Sequence, residues 1–227
     1  IRLLEDACQA IGAERDGVTA GSIGEAASFS FYATKNLMTG EGGMMTTSEP
    51  AVAEAARRFR HHGQGARYEY LSLGYNYRMT DLCAAIGRVQ LGRLAGIARA
   101  RRANAAFYDD ELALVAGLTT PYVPAGTNHA YHQYSILIDS ERTANGADRD
   151  AVRAHLAAHD VGSGIYYPVP LHLHPLFARY GYGPGDFPIA ERVASQILAL
   201  PIHPQLSPEQ LAYTVRTLRD AVGGTRR

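Results

Sequence analysis

Lys35 is the only lysine in the chain, and its residue type is the first indication of chemistry. All other basic residues counted with it are arginines, so the sequence keeps an amine at this one position. An ε-amine can form an imine with a carbonyl group, and it becomes a nucleophile when burial or a nearby cation lowers its pKa. A lysine considered alone is more often an ordinary surface residue. Its surroundings in the sequence therefore decide the interpretation.

The residues before Lys35 predict a strand that leads into a functional loop. Residues 26–32 form a short apolar run, and Lys35 follows it directly. Ser30 lies within this run, where its hydroxyl would either face a polar site or close a turn. Because ligands of α/β sheets bind beyond the carboxyl ends of strands, the predicted position suits a reactive amine.

A carboxylate follows another predicted strand in the same way. Asp6 comes after residues 1–4, in the sequence Glu-Asp-Ala-Cys-Gln-Ala. A buried carboxylate at this point needs a cationic partner. The protonated ring nitrogen of a cofactor would serve, and protonation would let the ring accept electrons. The alternative is an aspartate that stabilises a turn, and this segment alone leaves both interpretations open.

A third polar segment is Gly-Tyr-Asn-Tyr-Arg-Met at residues 74–79. Asn76 and Arg78 alternate, so in extended backbone they point the same way and could bind one anion. The alternative is a packed, tyrosine-rich loop without a ligand.

The histidines and cysteines do not follow a known metal or disulfide pattern. His172 and His174 are two residues apart, and residues 61–62 are both histidine. Neither spacing has the Cys or carboxylate partners of a zinc site, so we expect no metal. Cys8 and Cys83 lie among small and apolar residues, and we interpret them as reduced thiols of a cytoplasmic protein.

Charge and hydropathy limit the expected partners. Lys plus Arg and Asp plus Glu both number 22, so no net charge favours nucleic acid. No apolar run approaches the roughly 20 residues that cross a bilayer, and we expect no membrane partner. Residues 1–4 are predicted to form a strand without a preceding element, so we expect the sequence to begin partway through a domain.

The predicted elements form an α/β part followed by a smaller α+β part. We expect a first domain at residues 1–115, ending in a long helix that Thr80 caps, and a second domain at residues 116–227. The further predicted elements are a strand at residues 44–47, helices at residues 50–62 and 80–114, a strand at residues 131–138, a helix at residues 149–159 with Asp148 as its cap, a strand at residues 165–169, and a terminal helix after a capping box at residues 207–210.

Seven short motifs occur in order along the chain, at residues 5–10, 28–37, 40–44, 74–79, 129–134, 166–172 and 185–188. Together they resemble the nucleotide-sugar aminotransferase family, whose members are pyridoxal phosphate (PLP) enzymes of fold type I. The resemblance covers essentially the whole chain. It implies the α/β fold of PLP-dependent transferases, with the large domain incomplete at its N-terminus and followed by a small C-terminal domain.

The resemblance implies roles for five residues around PLP. Lys35 would be the catalytic residue, binding PLP as a Schiff base and then moving a proton. Asp6 would pair with the protonated ring nitrogen, and Gln9 would lie against the ring. Ser30 would bind the cofactor phosphate. Asn76 would reach the phosphate held by the neighbouring subunit, because family members are homodimers with shared active sites.

Four residues are the predicted substrate contacts. The resemblance implies that Arg78 contacts the amino donor or the nucleotide diphosphate, and that Tyr166 and Tyr167 contact the nucleotide sugar. His172 is expected near the substrate. The implied reaction transfers an amino group from glutamate or glutamine to a nucleotide-linked keto-deoxysugar. The residues around Lys35 resemble those of family members that act at a 4-keto carbon more than those of members that act at a 3-keto carbon.

Two departures from the family pattern bear on these roles. The family often has His where this chain has Tyr166, which leaves that contact open. Family members also carry a further segment before the point where this chain begins, and it holds part of the cofactor site. The alternative to an enzyme is therefore an N-terminally truncated, inactive member with a structural or regulatory role. Relatives that dehydrate the sugar usually have His in place of the lysine, so Lys35 favours transamination.

Overall fold

A computed structural model describes residues 1–224 of the chain and divides it into two compact units. The first unit comprises Ile1–Arg99 and Val123–His132, and the second comprises Ala100–Tyr122 and the chain from Gln133 onward. The division falls within a long helix, and ten residues that follow this helix belong to the first unit. The domain boundary between residues 115 and 116 remains a prediction.

The strands are short and the helices vary widely in length. In the described residues the strands are β1 (Leu4–Asp6), β2 (Glu14–Arg15), β3 (Val18–Thr19), β4 (Ala26–Ser30), β5 (Gly43–Thr46), β6 (Leu118–Thr119), β7 (Thr127–Asn128), β8 (Tyr134–Ile138) and β9 (Ile197–Leu200). The α-helices are α1 (Pro50–Phe59), α2 (Asp81–Leu112), α3 (Arg149–Ala158), α4 (Pro188–Gln196) and α5 (Pro208–Ala221). Short 3₁₀ helices occupy Leu171–Leu173 and Pro175–Tyr180.

The first unit contains a three-stranded sheet with the order β1-β4-β5. Strand β1 runs parallel to β4, and β5 runs antiparallel to it. The register places Asp6 opposite Ser28, so the carboxyl ends of β1 and β4 lie side by side. A second small sheet joins β2 to β3 and β7, and it ties the Val123–His132 segment to the first unit. These pairings bring the ends of the strands to one edge, where the site is built.

The second unit packs two helices near an antiparallel sheet with the order β6-β8-β9. Strand β8 alternates fully buried and half-buried residues, as expected for a strand with one face in the core. Helices α3 and α5 contact each other and contribute further apolar side chains to this core. Its fully buried residues include Tyr134, Ile136, Ile138, Val152, Leu156, Val215 and Leu218.

Three predicted helix caps are confirmed. The Thr80 hydroxyl accepts a hydrogen bond from the backbone N–H of Cys83 at the start of α2. Asp148 accepts one from Ala151 at 2.8 Å at the start of α3. Ser207 begins α5 with both hydrogen bonds of a capping box.

Several predicted boundaries are wrong, and the backbone explains the differences. Helix α1 ends at Phe59 instead of residue 62, because His62 and Gly63 have φ values of 59° and 71°. Strand β8 begins at residue 134 instead of 131, since Tyr131 has a φ of 42°. The first strand occupies residues 4–6 instead of 1–4.

The strand predicted at residues 165–169 is absent from the described structure. Only Gly164 forms a bridge there, to Ala199 of β9. Tyr167 has a φ of 60°, and Pro168 offers no N–H to a neighbouring strand, so a ladder cannot continue. Among the described residues, no helix combines the length and apolar character required to cross a membrane.

Candidate active site

Lys35 lies in a tight loop that leaves β4 and returns as β5. The backbone N–H of Phe31 donates to Gly42, and that of Thr39 donates back to Phe31 at 2.8 Å. Within the loop, the Lys35 N–H donates to the carbonyl of Tyr32 at 2.9 Å. The side chain of Lys35 is half-buried, while the residues just before it are exposed. The loop therefore holds the amine at the border between solvent and the interior of the first unit.

Ser30 closes a turn at the end of β4. Its hydroxyl accepts a hydrogen bond from the backbone N–H of Tyr32 at 3.3 Å. This is one of the two roles expected from the sequence. The hydroxyl hydrogen is not used in that bond, so Ser30 can still donate to an anion.

Asp6 stabilises a turn and also interacts electrostatically with Lys35. Its Oδ1 accepts the backbone N–H of Cys8 at 3.1 Å, which is the turn-stabilising role. Hydrogen bonds from the Cys8 side chain and backbone, together with the positive charge of Lys35, lower the pKa of Asp6. The expectation of a buried carboxylate is wrong, because Asp6 is exposed at the end of β1. Gln9 is likewise exposed in the turn that follows.

Cys8 fills the space between Asp6 and β4. Its sulfur lies 3.6 Å from the hydroxyl of Ser28 and 3.7 Å from the Ser28 carbonyl oxygen. Burial is the main cause that raises the pKa of the Cys8 thiol. A neutral thiol at this place suits a packing role more than a nucleophilic one.

Glu5 is a structural carboxylate that the sequence did not reveal. Its two oxygens accept the backbone N–H groups of Gly21, Ile23 and Gly24 at 2.7, 2.6 and 2.7 Å. These bonds, with that of Gly24 first, lower the pKa of Glu5. Successive backbone N–H groups in a glycine-rich turn form a concave anion site, and here the anion is the protein's own side chain. The glycines at positions 21 and 24 were the signal that could have identified it.

Asn76 and Arg78 lie on the same side of their segment, as predicted. Arg78 Nε donates to Asn76 Oδ1 at 2.9 Å, and Arg78 Nη1 lies 3.4 Å from His61 Nδ1. The alternative of a packed tyrosine loop also holds. The rings of Tyr75 and Tyr77 stack with centroids 5.2 Å apart.

Two glycines fix the backbone that carries Asn76 and Arg78. A Cβ at Gly63 would lie 1.7 Å from the carbonyl oxygen of Ser72, and the φ of Gly63 is 71°. A Cβ at Gly74 would lie 2.1 Å from the nitrogen of Gly63. A side chain at either position would push the two backbone segments, around Gly63 and around Gly74, apart.

A groove of about 1190 Å³ lies beside this segment within the first unit. Strands β4 and β5, helix α1 and the start of α2 line it. Its cationic and basic residues are Arg57, Arg60, His61 and Arg78, and none of the described lining residues carries a carboxylate. Such a lining favours an anionic ligand. Sequence reasoning found Arg78 and missed Arg57 in α1 and Arg60 directly after it, because neither belongs to a motif.

The predicted substrate residues of the second unit have different surroundings. Tyr166 and Tyr167 are exposed, and the ring of Tyr166 packs over Gly164. The His172 side chain is only 8% exposed, and its Nε2 donates to Glu191 Oε1 at 3.1 Å. Glu191 also accepts the N–H of Gly185, which is the first cause that lowers its pKa. His172 therefore has a structural partner, and its contact with substrate stays a prediction.

No group of three or more His, Cys, Asp or Glu side chains that could hold a metal ion occurs in the part of the chain that the structure describes. The expectation that the protein needs no metal stays a prediction.

The DegT/DnrJ/EryC1/StrS aminotransferase family model matches residues 1–219. This chain belongs to that family. The resemblance predicted from the seven motifs is thereby confirmed. The predicted fold is confirmed as well, since the crystal structure of DesV from S. venezuelae matches with a TM-score of 0.90 at 33% identity. The match covers 100% of this chain and 59% of DesV.

Two curated relatives are named as enzymes. A 3-aminotransferase of UDP-N-acetyl-3-dehydro-α-D-glucosamine from Acidithiobacillus ferrooxidans is 36% identical over 99% of this chain and 58% of the relative. The dTDP-3-amino-3,4,6-trideoxy-α-D-glucose transaminase of Streptomyces venezuelae is 35% identical over 97% of this chain and 56% of the relative. The chain thus spans less than two thirds of the length of the curated relatives it matches.

Proposed function

We propose that this protein is a PLP-dependent aminotransferase that converts a nucleotide-linked keto-deoxysugar to an amino sugar, with glutamate or glutamine as donor. The observation that carries the proposal is the sole lysine, held half-buried in the loop after β4, with the Asp6 carboxylate close enough to respond to its charge. Membership of an aminotransferase family supports it.

The residues around Lys35 fit PLP. The cofactor needs a primary amine, an anion for its ring nitrogen and donors for its phosphate. Lys35, Asp6 and Ser30 offer these three groups at neighbouring strand ends. Asp6 is exposed, so its carboxylate remains open to a ligand. Gln9, in the turn beyond Asp6, is proposed to lie against the ring.

The chain's own groups would divide the chemistry among them. PLP, when bound, supplies a carbonyl that amines attack and a ring that accepts electrons. Lys35 Nζ would hold this carbonyl, and the same amine would take a proton from the substrate carbon and return it. The Asp6 carboxylate would hold a proton on the ring nitrogen. The Ser30 hydroxyl would donate to the phosphate and fix its position.

The nucleotide diphosphate of the substrate is proposed to bind in the cationic groove. Arg78 is the proposed contact, with the other basic side chains of the groove nearby. Tyr166, Tyr167 and His172 are proposed to contact the sugar. The names of the two relatives place the amino group at carbon 3 of the sugar, whereas the residues around Lys35 favour a 4-keto carbon. A paired assay of 3-keto and 4-keto nucleotide sugars separates these two substrates.

We further propose a cytoplasmic homodimer with shared active sites, in which Asn76 serves the neighbouring subunit. The arrangement of Asn76 beside Arg78 on one exposed side of the loop supports a ligand on that side. The unpaired state of Cys8 and Cys83 supports a reducing compartment.

Borohydride reduction after addition of PLP tests the function. We expect a pyridoxyl group on the peptide that contains Lys35, and glutamate-dependent amination of a nucleotide keto-sugar. Lys35→Arg keeps the charge but cannot form an imine, so it should lose the label and reduce kcat by at least about 10⁴-fold. A label on another residue would overturn the Lys35 assignment. An absence of imine absorbance in the parent protein would favour the inactive structural role instead.

A further inference from the structure

The loop that carries Lys35 is anchored by the residues that directly follow the lysine. Asn36, Leu37 and Thr39 are 7%, 2% and 4% exposed. Tyr32 and the two residues after it are exposed. Lys35 therefore lies where an exposed turn meets a buried anchor, and the position of its amine depends on how firmly that anchor is held.

Asn36 ties this anchor to a distant part of the chain. Its Nδ2 donates to the backbone carbonyl of Ala130 at 2.8 Å. Ala130 is 3% exposed and belongs to the Val123–His132 segment of the first unit. A buried hydrogen bond between side chain and backbone fixes both position and orientation of the amide.

The turn that presents the Ala130 carbonyl is itself constrained. Tyr131 has a φ of 42°, which non-glycine residues rarely adopt and which persists only when the surroundings hold it. Its backbone N–H donates to His129 Nδ1 at 3.0 Å, and the two rings lie 4.6 Å apart. Burial lowers the pKa of His129, which keeps Nδ1 available as an acceptor. The acceptor of Asn36 thus occupies a fixed place.

The other end of the Asn36 amide has an unusual environment. Its Oδ1 is buried and makes no hydrogen bond within the described residues 1–224. A buried acceptor without a partner destabilises the folded state and requires an explanation. An apolar residue of similar size would avoid that cost. An asparagine at this position is therefore explained better by its directional bond to Ala130 than by packing alone.

We propose that Asn36 is a positioning residue for Lys35, holding the loop of the amine onto the turn at residues 129–131. The inference rests on the proposed function for the role of Lys35 and goes beyond it in assigning Asn36. Loss of the tether would free the loop and let the ε-amine leave the position in which it meets a cofactor carbonyl.

Asn104 provides a matched control for this proposal. It is also 7% exposed, and its Nδ2 donates to the backbone carbonyl of His203 at 3.0 Å in the second unit. Substitution of either asparagine by Ala or Leu removes the same kind of buried bond. We expect Asn36→Ala and Asn104→Ala to lower the urea midpoint by similar amounts. Asn36→Leu, with Asn104→Leu as its control, keeps the side-chain size should the alanine variant not fold.

The decisive readout is the reactivity of Lys35 in protein without cofactor. Sulfo-NHS-acetate labels the amine, and peptide mass spectrometry of the fragment that contains Lys35 gives the rate. We expect acetylation about three- to tenfold faster in the Asn36 variants. Loss of one hydrogen bond would raise the population of the locally opened loop by about this factor. The Asn104 variants should keep the parent rate. In the enzyme with PLP, kcat should fall by about tenfold or more with little change in KM.

The proposal would be overturned if the Asn36 variants lost as much stability as the Asn104 variants but were still acetylated at the rate of the parent protein. Equal acceleration in both sets would also overturn it, because the effect would then be general loosening of the fold. Acetylation needs neither cofactor nor substrate, so a failure of the proposed function would leave this result readable.

Discussion

At the scale of single residues, Glu5 and Asp6 are neighbouring carboxylates with opposite surroundings. Glu5 has both oxygens occupied by backbone N–H groups of three residues, whereas Asp6 is exposed and accepts only from Cys8. A carboxylate already saturated with donors cannot serve a ligand, while one with a free oxygen can. Hydrogen-bond saturation therefore separates the anchoring residue from the proposed functional one, although their types and positions in the sequence are alike.

Asp6→Asn should impair catalysis with little loss of stability. The amide keeps the acceptor for Cys8 but cannot hold a proton on a ring nitrogen, so kcat should fall on the order of 10²-fold or more. The control is Asp139→Asn, because Asp139 Oδ1 accepts the N–H of Glu141 two residues on at 3.2 Å, in the second unit. Steady-state kinetics check both, and equal kcat values for the two variants would contradict the role of Asp6.

Glu5→Gln should remove a pH-dependent part of the stability. The folded state lowers the pKa of Glu5, so its contribution is present above the ordinary pKa and is lost as the pH falls through the lowered folded value. Urea denaturation should thus give the largest difference between parent and variant near neutral pH, shrinking toward acid. Glu141→Gln is the control, because the Glu141 carboxylate makes no hydrogen bond within the described residues. A difference that grows toward acid would refute the assignment.

At the scale of elements, the starts of three helices could be predicted from sequence more reliably than the loops. The Ser207 and Asp148 caps act on groups three residues away, so their sequence patterns suffice. The expected strand at residues 165–169 failed because the positive φ of Tyr167 has no signal in its residue type. Arg57 and Arg60 were missed for a related reason, since only the tertiary fold brings α1 and the residue after it to the groove.

Ser207→Ala should destabilise α5 by about 1 kcal/mol. Its hydroxyl accepts the N–H of Gln210 at 3.2 Å, and the helix contributes Leu211, Val215 and Leu218 to the core of the second unit. Ser195→Ala is the control, because the exposed Ser195 hydroxyl bonds only within its own helix. Urea titration monitored by far-UV circular dichroism compares them. Equal losses in both variants would mean that the cap contributes nothing specific.

At the scale of the whole molecule, the residues proposed for the cofactor all belong to the first unit, which is discontinuous in sequence. Its last segment returns through β7, which pairs with β2 over two residues, Arg15 with Thr127 and Glu14 with Asn128. So short a pairing leaves no periodic pattern, and the sequence therefore gave no indication of the return. The motifs identified the family because each holds its residues within a few positions, independent of that topology.

Mixing two inactive variants tests whether active sites are shared between subunits. If Asn76 serves the neighbouring subunit, a heterodimer of Lys35→Arg and Asn76→Ala carries both changes in one site and leaves the other intact. Random exchange should then recover about one quarter of the parent activity. Mixing Lys35→Arg with Asp6→Asn is the control and should recover nothing, because both residues belong to the same site. Recovery in the control, or none with Asn76→Ala, would exclude the shared arrangement.

The bond between Asn36 and Ala130 also has a consequence for the order of events during protein synthesis. The two residues are 94 positions apart. Ribosomes add roughly 5–20 residues per second, so Ala130 leaves the peptidyl-transferase centre roughly 5–20 seconds after Asn36. During that interval the amide has no carbonyl to bind, and the loop that carries the sole lysine stays unanchored. A reactive amine would therefore acquire its final position only after the whole of helix α2 has been made.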